Sequence, residues 1–82
     1  MHTIFLNGAD YQTGYELHDA LQRLLNLPDY YGHNADALHD CLKGWRDTIH
    51  LVVLGEGNNE VNATMRKIAA VIRDLDGKVT GL

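Results

Sequence analysis

Eighty-two residues, 45% of them apolar and only one of them Pro, suit one small globular domain and leave no room for a second domain or a large substrate cavity. A single cysteine excludes an intramolecular disulfide. The formal net charge of −4 is unevenly placed: residues 10 to 40 hold six acids (Asp10, Glu16, Asp19, Asp29, Asp36, Asp40) against Arg23 alone, or −5, while the rest has six bases against five acids, or +1. Direct contact with nucleic-acid phosphates needs the opposite sign, so the acidic segment points to a cationic partner, the duller alternative being a surface that only keeps the chain soluble. The opening MHTIFLNG has neither the basic nor the apolar region of a secretory signal, and no apolar run approaches a membrane span. A cytoplasmic location is the expectation.

Thr3 to Leu6 predicts a first strand, closed by Asn7-Gly8. Thr13 and Glu16 have the spacing of a capping box, and the helix that follows has Leu17, Ala20, Leu21, Leu24 and Leu25 as its apolar face, with Pro28 expected to stop it. A loop from Asp29 to His33 carries two adjacent tyrosines and a glycine. Asn34 then suits the cap of a second helix, with Gly44 at its end. Ile49 to Leu54 is almost continuously apolar, which predicts a central strand covered on both faces. Turn residues Gly55 to Asn59 lead to a third helix, in which Val61, Met65, Ile68, Ile72 and Leu75 recur at helical spacing. Asp76-Gly77 breaks it and leaves Lys78 to Leu82 as a short last strand. The order βααβαβ implies an α/β fold: a small three-stranded parallel sheet with helices packed over it.

The stretch Asp29 to Trp45, DYYGHNADALHDCLKGW, is the candidate working surface. Its helix puts Asp36, His39, Asp40 and Lys43 within an arc of roughly 100° on one side, and Leu38, Cys41, Leu42 and Trp45 on the other. That sorting tells the helix which face to bury and leaves two carboxylates in solvent. Cys41 falls on the buried face as a small core residue. One tyrosine of the Tyr30-Tyr31 pair is expected to pack under the loop while the other faces out.

Residues 27 to 45 resemble the barstar family, intracellular inhibitors of barnase-type bacterial ribonucleases. The family pattern is a Leu-Pro-acid-Tyr-Tyr-Gly run leading into Asn-x-Asp-Ala-Leu-x-Asp-Cys-Leu-x-Gly-Trp; a looser likeness covers Asn7-Gly8 and Val71 to Asp74. The resemblance implies the family's βααβαβ fold and a non-enzymatic inhibitor, without cofactor or metal, that plugs a ribonuclease site with the second helix and the loop before it. By position, Asp40 would be the phosphate mimic and Asp36 its companion acid. Tyr30 would be the aromatic that packs on the enzyme, Asn34, Gly44 and Trp45 smaller contacts, and Asp74 the acid on the third helix. His39 stands where the family has tryptophan, Lys43 partly cancels the acidic face, and the chain after Trp45 is shorter than in the family, chiefly around Gly55 to Asn59 and before Gly77. These departures bear on which nuclease is recognised. The partner implied is a barnase-like or other microbial extracellular ribonuclease, met by an immunity or antitoxin-type protein that is monomeric when free.

Two other classes compete. One is an acidic interaction module for some other cationic protein. The other is a metal site or small hydrolase built on His33, Asp36, His39 and Asp40, although no two histidines have the i, i+4 spacing of a helical ligand pair and no phosphate cradle or Ser-His-acid set is present.

Overall fold

Ile49 to Gly55 forms the middle strand of the sheet, and the other elements follow from covering it. In the computed structural model, which describes residues 1 to 82, the order is β1 (His2–Asn7), α1 (Gly14–Leu24), α2 (Ala35–Leu42), β2 (Ile49–Gly55), α3 (Asn59–Asp74) and β3 (Lys78–Thr80), with a short 3-10 turn at Gly8–Asp10. The sheet runs β1-β2-β3, all parallel, with Ile4 opposite Leu51 and Leu51 opposite Val79. This is the barstar-like α/β architecture, with three helices and a three-stranded parallel sheet. No helix is long and apolar enough to cross a membrane.

The expectation of a β2 covered on both faces is corrected. Ile4, Leu6, Ile49 and Leu51 face the helices and are 0–5% exposed, whereas Phe5 at 59% and Leu54 at 62% stand on the opposite, open face. The Cα envelope is 17 Å in its thinnest direction, room for one sheet and one helical layer. A continuous apolar run therefore does not by itself place a helix on each side. On the open face His50 Nε2 meets Thr80 Oγ1 at 2.8 Å and ties β2 to β3.

Each helix begins on a side-chain cap. Thr13 Oγ1 accepts from Glu16 N at 3.1 Å, Asn34 Oδ1 from Ala37 N at 2.8 Å and Asn58 Oδ1 from Val61 N at 2.9 Å. The capping box is modified, since Glu16 reaches the backbone N–H of Gln12 rather than that of Thr13.

The stop of α1 differs from expectation. Asn26 adopts the left-handed conformation (φ 51°) and donates to the Arg23 carbonyl, while Leu27 N donates to the Gln22 carbonyl at 2.9 Å, so a Schellman turn ends the helix before Pro28 is reached. Pro28 instead supplies a carbonyl that accepts from Gln22 Nε2 and Tyr31 N. Asp76 (φ 64°) with Gly77 ends α3 in the same way. β3 stops at Thr80, short of the expected Leu82.

Eighteen buried apolar residues fill the space between sheet and helices. From α1 and its C-cap they include Leu17, Ala20, Leu21 and Leu25; Leu24, placed on the apolar face by its spacing, is 47% exposed because the buried arc has turned toward His18, which is 4% exposed. Replacing Leu51, fully buried at the centre of the sheet, by Ala should cost about 2–5 kcal/mol of stability, measured as a fall in the urea midpoint at unchanged m-value.

Candidate functional site

A helix of eight residues is marginal in water, so the face it shows is only as firm as its attachments. α2 is attached through Leu38 and Leu42, which are 0% and 5% exposed, with Ala35, Ala37, Cys41 and Trp45 packed around them. Asn34 caps it and also donates from Nδ2 to the Gly32 carbonyl at 3.1 Å, so its side chain is committed to the loop and helix start. Trp45 closes the far end. Its backbone N–H donates to the Leu42 carbonyl, its ring meets His2 edge-on at 6.2 Å, and with Leu42, Ile49, Ile72 and Leu75 it lines a small apolar recess.

The outward side carries the expected charges. Asp36 is exposed and enters none of the chain's ion pairs; Asp40, 75% exposed at its side chain, lies 3.4 Å from Lys43 Nζ. An exposed pair of this kind is worth at most about 1 kcal/mol and opens readily. His39 is half-buried between them. Asp36 also lines an open groove with Tyr15, His33, Thr64 and Lys67, so a second lysine offsets the acids near the start of α2. Asp74 is exposed in the last turn of α3, one residue before Leu75, which places it at the Trp45 end of the helix pair, away from that groove. At Gly44 an added Cβ would meet nothing within 4 Å and the backbone is not left-handed, so nothing inside the chain requires glycine there.

The two tyrosines divide as expected. Tyr30 is 86% exposed, while Tyr31 is 4% exposed with its hydroxyl 2.6 Å from Nδ1 of His18. Burial pushes the His18 imidazole down to about 4, assisted by the nearby His33, and burial likewise holds the Tyr31 phenol well above its ordinary range, assisted by Cys41. Both are neutral at pH 7 and share one buried hydrogen bond.

His33 completes the loop. It is a non-glycine residue at φ 53°, a conformation that costs roughly 1–2 kcal/mol, and its Nδ1 donates to the Tyr31 carbonyl at 2.8 Å while its ring stacks on Tyr15 at 4.2 Å. Of the group Tyr15, His18, Asp19, Tyr31 and His33, only His33 was a candidate site residue, in the competing metal set; Tyr15, His18 and Asp19 were not expected there. A partial signal existed, because His18 follows Leu17 on the apolar side of the first helix. No three His, Cys, Asp or Glu side chains are grouped to hold a metal ion, so the proposed set of His33, Asp36, His39 and Asp40 is not assembled as one.

The sequence comparisons add to this geometry. A family model described as Barstar (barnase inhibitor) matches residues 1–79. The chain belongs to the barstar family. It is also 48% identical over 54 residues to a Bacillus subtilis (strain 168) protein named "Putative ribonuclease inhibitor YrdF"; the match takes in 66% of this chain and 59% of that relative.

The buried His18 sets an acid limit on the fold. The unfolded chain takes up a proton near 6.5 and the folded one only near 4, so stability is complete above 6.5 and is lost as pH falls between these values, by up to about 3 kcal/mol. Urea midpoints measured from pH 7 to pH 4 should fall accordingly. His18→Gln, which keeps an acceptor for the Tyr31 hydroxyl, should remove most of this slope.

Proposed function

We propose that this barstar-family protein inhibits a barnase-type ribonuclease by seating the loop Asp29 to His33 and the outward face of α2 in the enzyme's cationic active site. The observation that carries the reading is the pairing of an 86% exposed Tyr30 with exposed carboxylates on Asp36 and Asp40, all on one short, well-anchored segment of a chain in this family. The relative's name, which includes ribonuclease inhibitor, supports the same reading.

Ribonuclease sites hold phosphate with Arg, Lys and His, and a carboxylate placed there accepts the same charge-assisted hydrogen bonds. In this account Asp40 takes the phosphate position and Asp36 lies one turn away. Tyr30 supplies aromatic contact from the loop, and His39 fills the space between the acids. Gly44 lets the partner approach the backbone, Trp45 offers an exposed edge, and Asp74 extends the contact at the end of α3. Asn34 acts chiefly by holding the helix start. The chain would work as an immunity or antitoxin-type protein in the cytoplasm of the cell that makes the nuclease, as a monomer until it meets its target, without cofactor or contact with RNA.

The test is titration of the protein into a barnase-type microbial ribonuclease while RNA cleavage is followed. Stoichiometric inhibition is expected. Asp40→Ala should weaken binding by about 2–5 kcal/mol, the general range for truncating one partner of a desolvated charge pair, to which barnase and barstar themselves contribute. Its circular dichroism and urea midpoint should be unchanged. A ribonuclease left fully active at excess protein would point instead to an acidic module for some other cationic protein. Lys43→Ala should raise the association rate, on the order of a few-fold at low salt, because the lysine both neutralises Asp40 and repels a cationic site. A rate that is unchanged, or that ignores salt, would count against electrostatic docking on this face.

A further inference from the structure

Beneath the Asp29 to His33 loop lies a polar cluster with one valence left open. His33 Nδ1 is 2.8 Å from the Tyr31 carbonyl, and a carbonyl only accepts, so the ring hydrogen sits on Nδ1. In the neutral ring Nε2 is then a lone pair. That nitrogen is shielded from solvent, has no hydrogen-bond partner, and lies 3.6 Å from Asp19 Oδ1, an acceptor facing an acceptor. The other oxygen of Asp19 accepts from Arg23 at 2.8 Å in an exposed pair, which leaves Oδ1 unspent. Tyr15 stacks on one side of the ring, 6° from parallel, and Tyr31 lies against it at 5.1 Å, which leaves the imidazole little freedom to turn away.

We infer that His33 is a positioning residue for the binding loop, and that it acts as a proton-dependent latch: when Nε2 is protonated it donates to Asp19 and ties the loop to α1. The reaction is a proton uptake from solvent that converts an acceptor–acceptor contact into an ion-paired hydrogen bond, with Nδ1 still donating to the Tyr31 carbonyl. Charged and titratable groups face His33 from each element packed against it. From α1 Asp19 presents an acid and Arg23 behind it a base, with His18 beside it neutral above about pH 4; the start of α2 adds the acid Asp36 and α3 the base Lys67. Tyr15 and Tyr31 are neutral neighbours. A charged His33 also makes a second charge on His18 less favourable, so the His18–Tyr31 bond persists while the latch closes. Both ends of Tyr31, carbonyl and hydroxyl, are then held, and Tyr30 beside it loses freedom. The latch is a property of the free chain; its consequence, tighter inhibition by the His33-protonated chain, rests on the function proposed above.

The experiment is imidazole nitrogen NMR on the full chain across its histidine titration, with loop amide protection measured in parallel and corrected for the intrinsic pH dependence of exchange. His33 should carry its hydrogen on Nδ1 in the neutral form, and protection from Tyr30 to Asn34 should rise several-fold as that ring titrates. Asp19→Asn gives the discriminating readout. Its amide N–H donates to the neutral Nε2 and its amide oxygen accepts from the charged one, but without an ion pair, so the pH dependence of loop protection should flatten, whereas a purely structural Asp19 would leave protection lower at every pH with the wild-type dependence on pH. An Nε2–H tautomer in the neutral wild type, or protection indifferent to the titration of His33, would overturn the latch. In the ribonuclease assay, inhibition that tightens with the titration of His33 extends the latch to binding. Loss of inhibition at every pH with the NMR result intact would overturn the proposed target and leave the latch standing.

Discussion

The outward face of α2 depends on the docking of Leu38 and Leu42, because a helix of eight residues has too few internal hydrogen bonds to persist alone. Those two side chains fix the rotation of α2 about its axis. Once they are buried, Asp36 and Asp40 have no direction to point but outward. The Asn34 cap and the Trp45 plug then fix the two ends, so the spacing between the carboxylates is a property of the core rather than of the surface. Display of this kind suits an inhibitor, since side chains held in place before binding lose less entropy in the complex.

The loop is held by different means. It contains no regular ladder, so its backbone polar groups are satisfied by a capping asparagine, a histidine side chain and the Pro28 carbonyl. Under it, the Tyr31–His18 bond buries two polar groups that satisfy each other, and the stacked Tyr15 and His33 rings cover them. The left-handed backbone at His33 is a cost offset by that side chain's hydrogen bond and stacking. This arrangement leaves Tyr31 inside and Tyr30 outside, although the two are adjacent in sequence and identical in chemistry.

Much of this was legible in the residues. Element order, the caps at Thr13 and Asn34, the central place of β2 and the two faces of α2 all follow from periodicity and capping chemistry, because each depends on neighbours within a few positions. Other readings failed, some because distant parts of the chain decide and one because a nearer residue acts first. The run from Ile49 to Leu54 looks the same whether one face or two are covered, and only the tertiary arrangement leaves Phe5 and Leu54 open. Leu24 has helical spacing with the core, yet His18 takes the buried direction. Pro28 is the more conspicuous breaker, but Asn26, tolerant of the left-handed conformation, turns the chain first. The cluster under the loop was hidden because Tyr15, Asp19 and His33 meet only when the loop folds back on α1. The acidic face is also less extreme than the charge of residues 10 to 40 indicates, since Lys43 and Lys67 come to it from outside that segment.

The proposed interface is the segment from Tyr30 to Trp45, while the open face of the sheet offers Phe5, Val52 and Leu54 as a rival surface of opposite character. Amide cross-saturation NMR separates them most directly, with labelled chain mixed with an unlabelled barnase-type ribonuclease. Saturation arriving at Tyr30, Asp36, Asp40 and Gly44, with β1 and β2 silent, is the predicted result. Saturation concentrated on Phe5, Val52 and Leu54, with α2 untouched, would contradict the account.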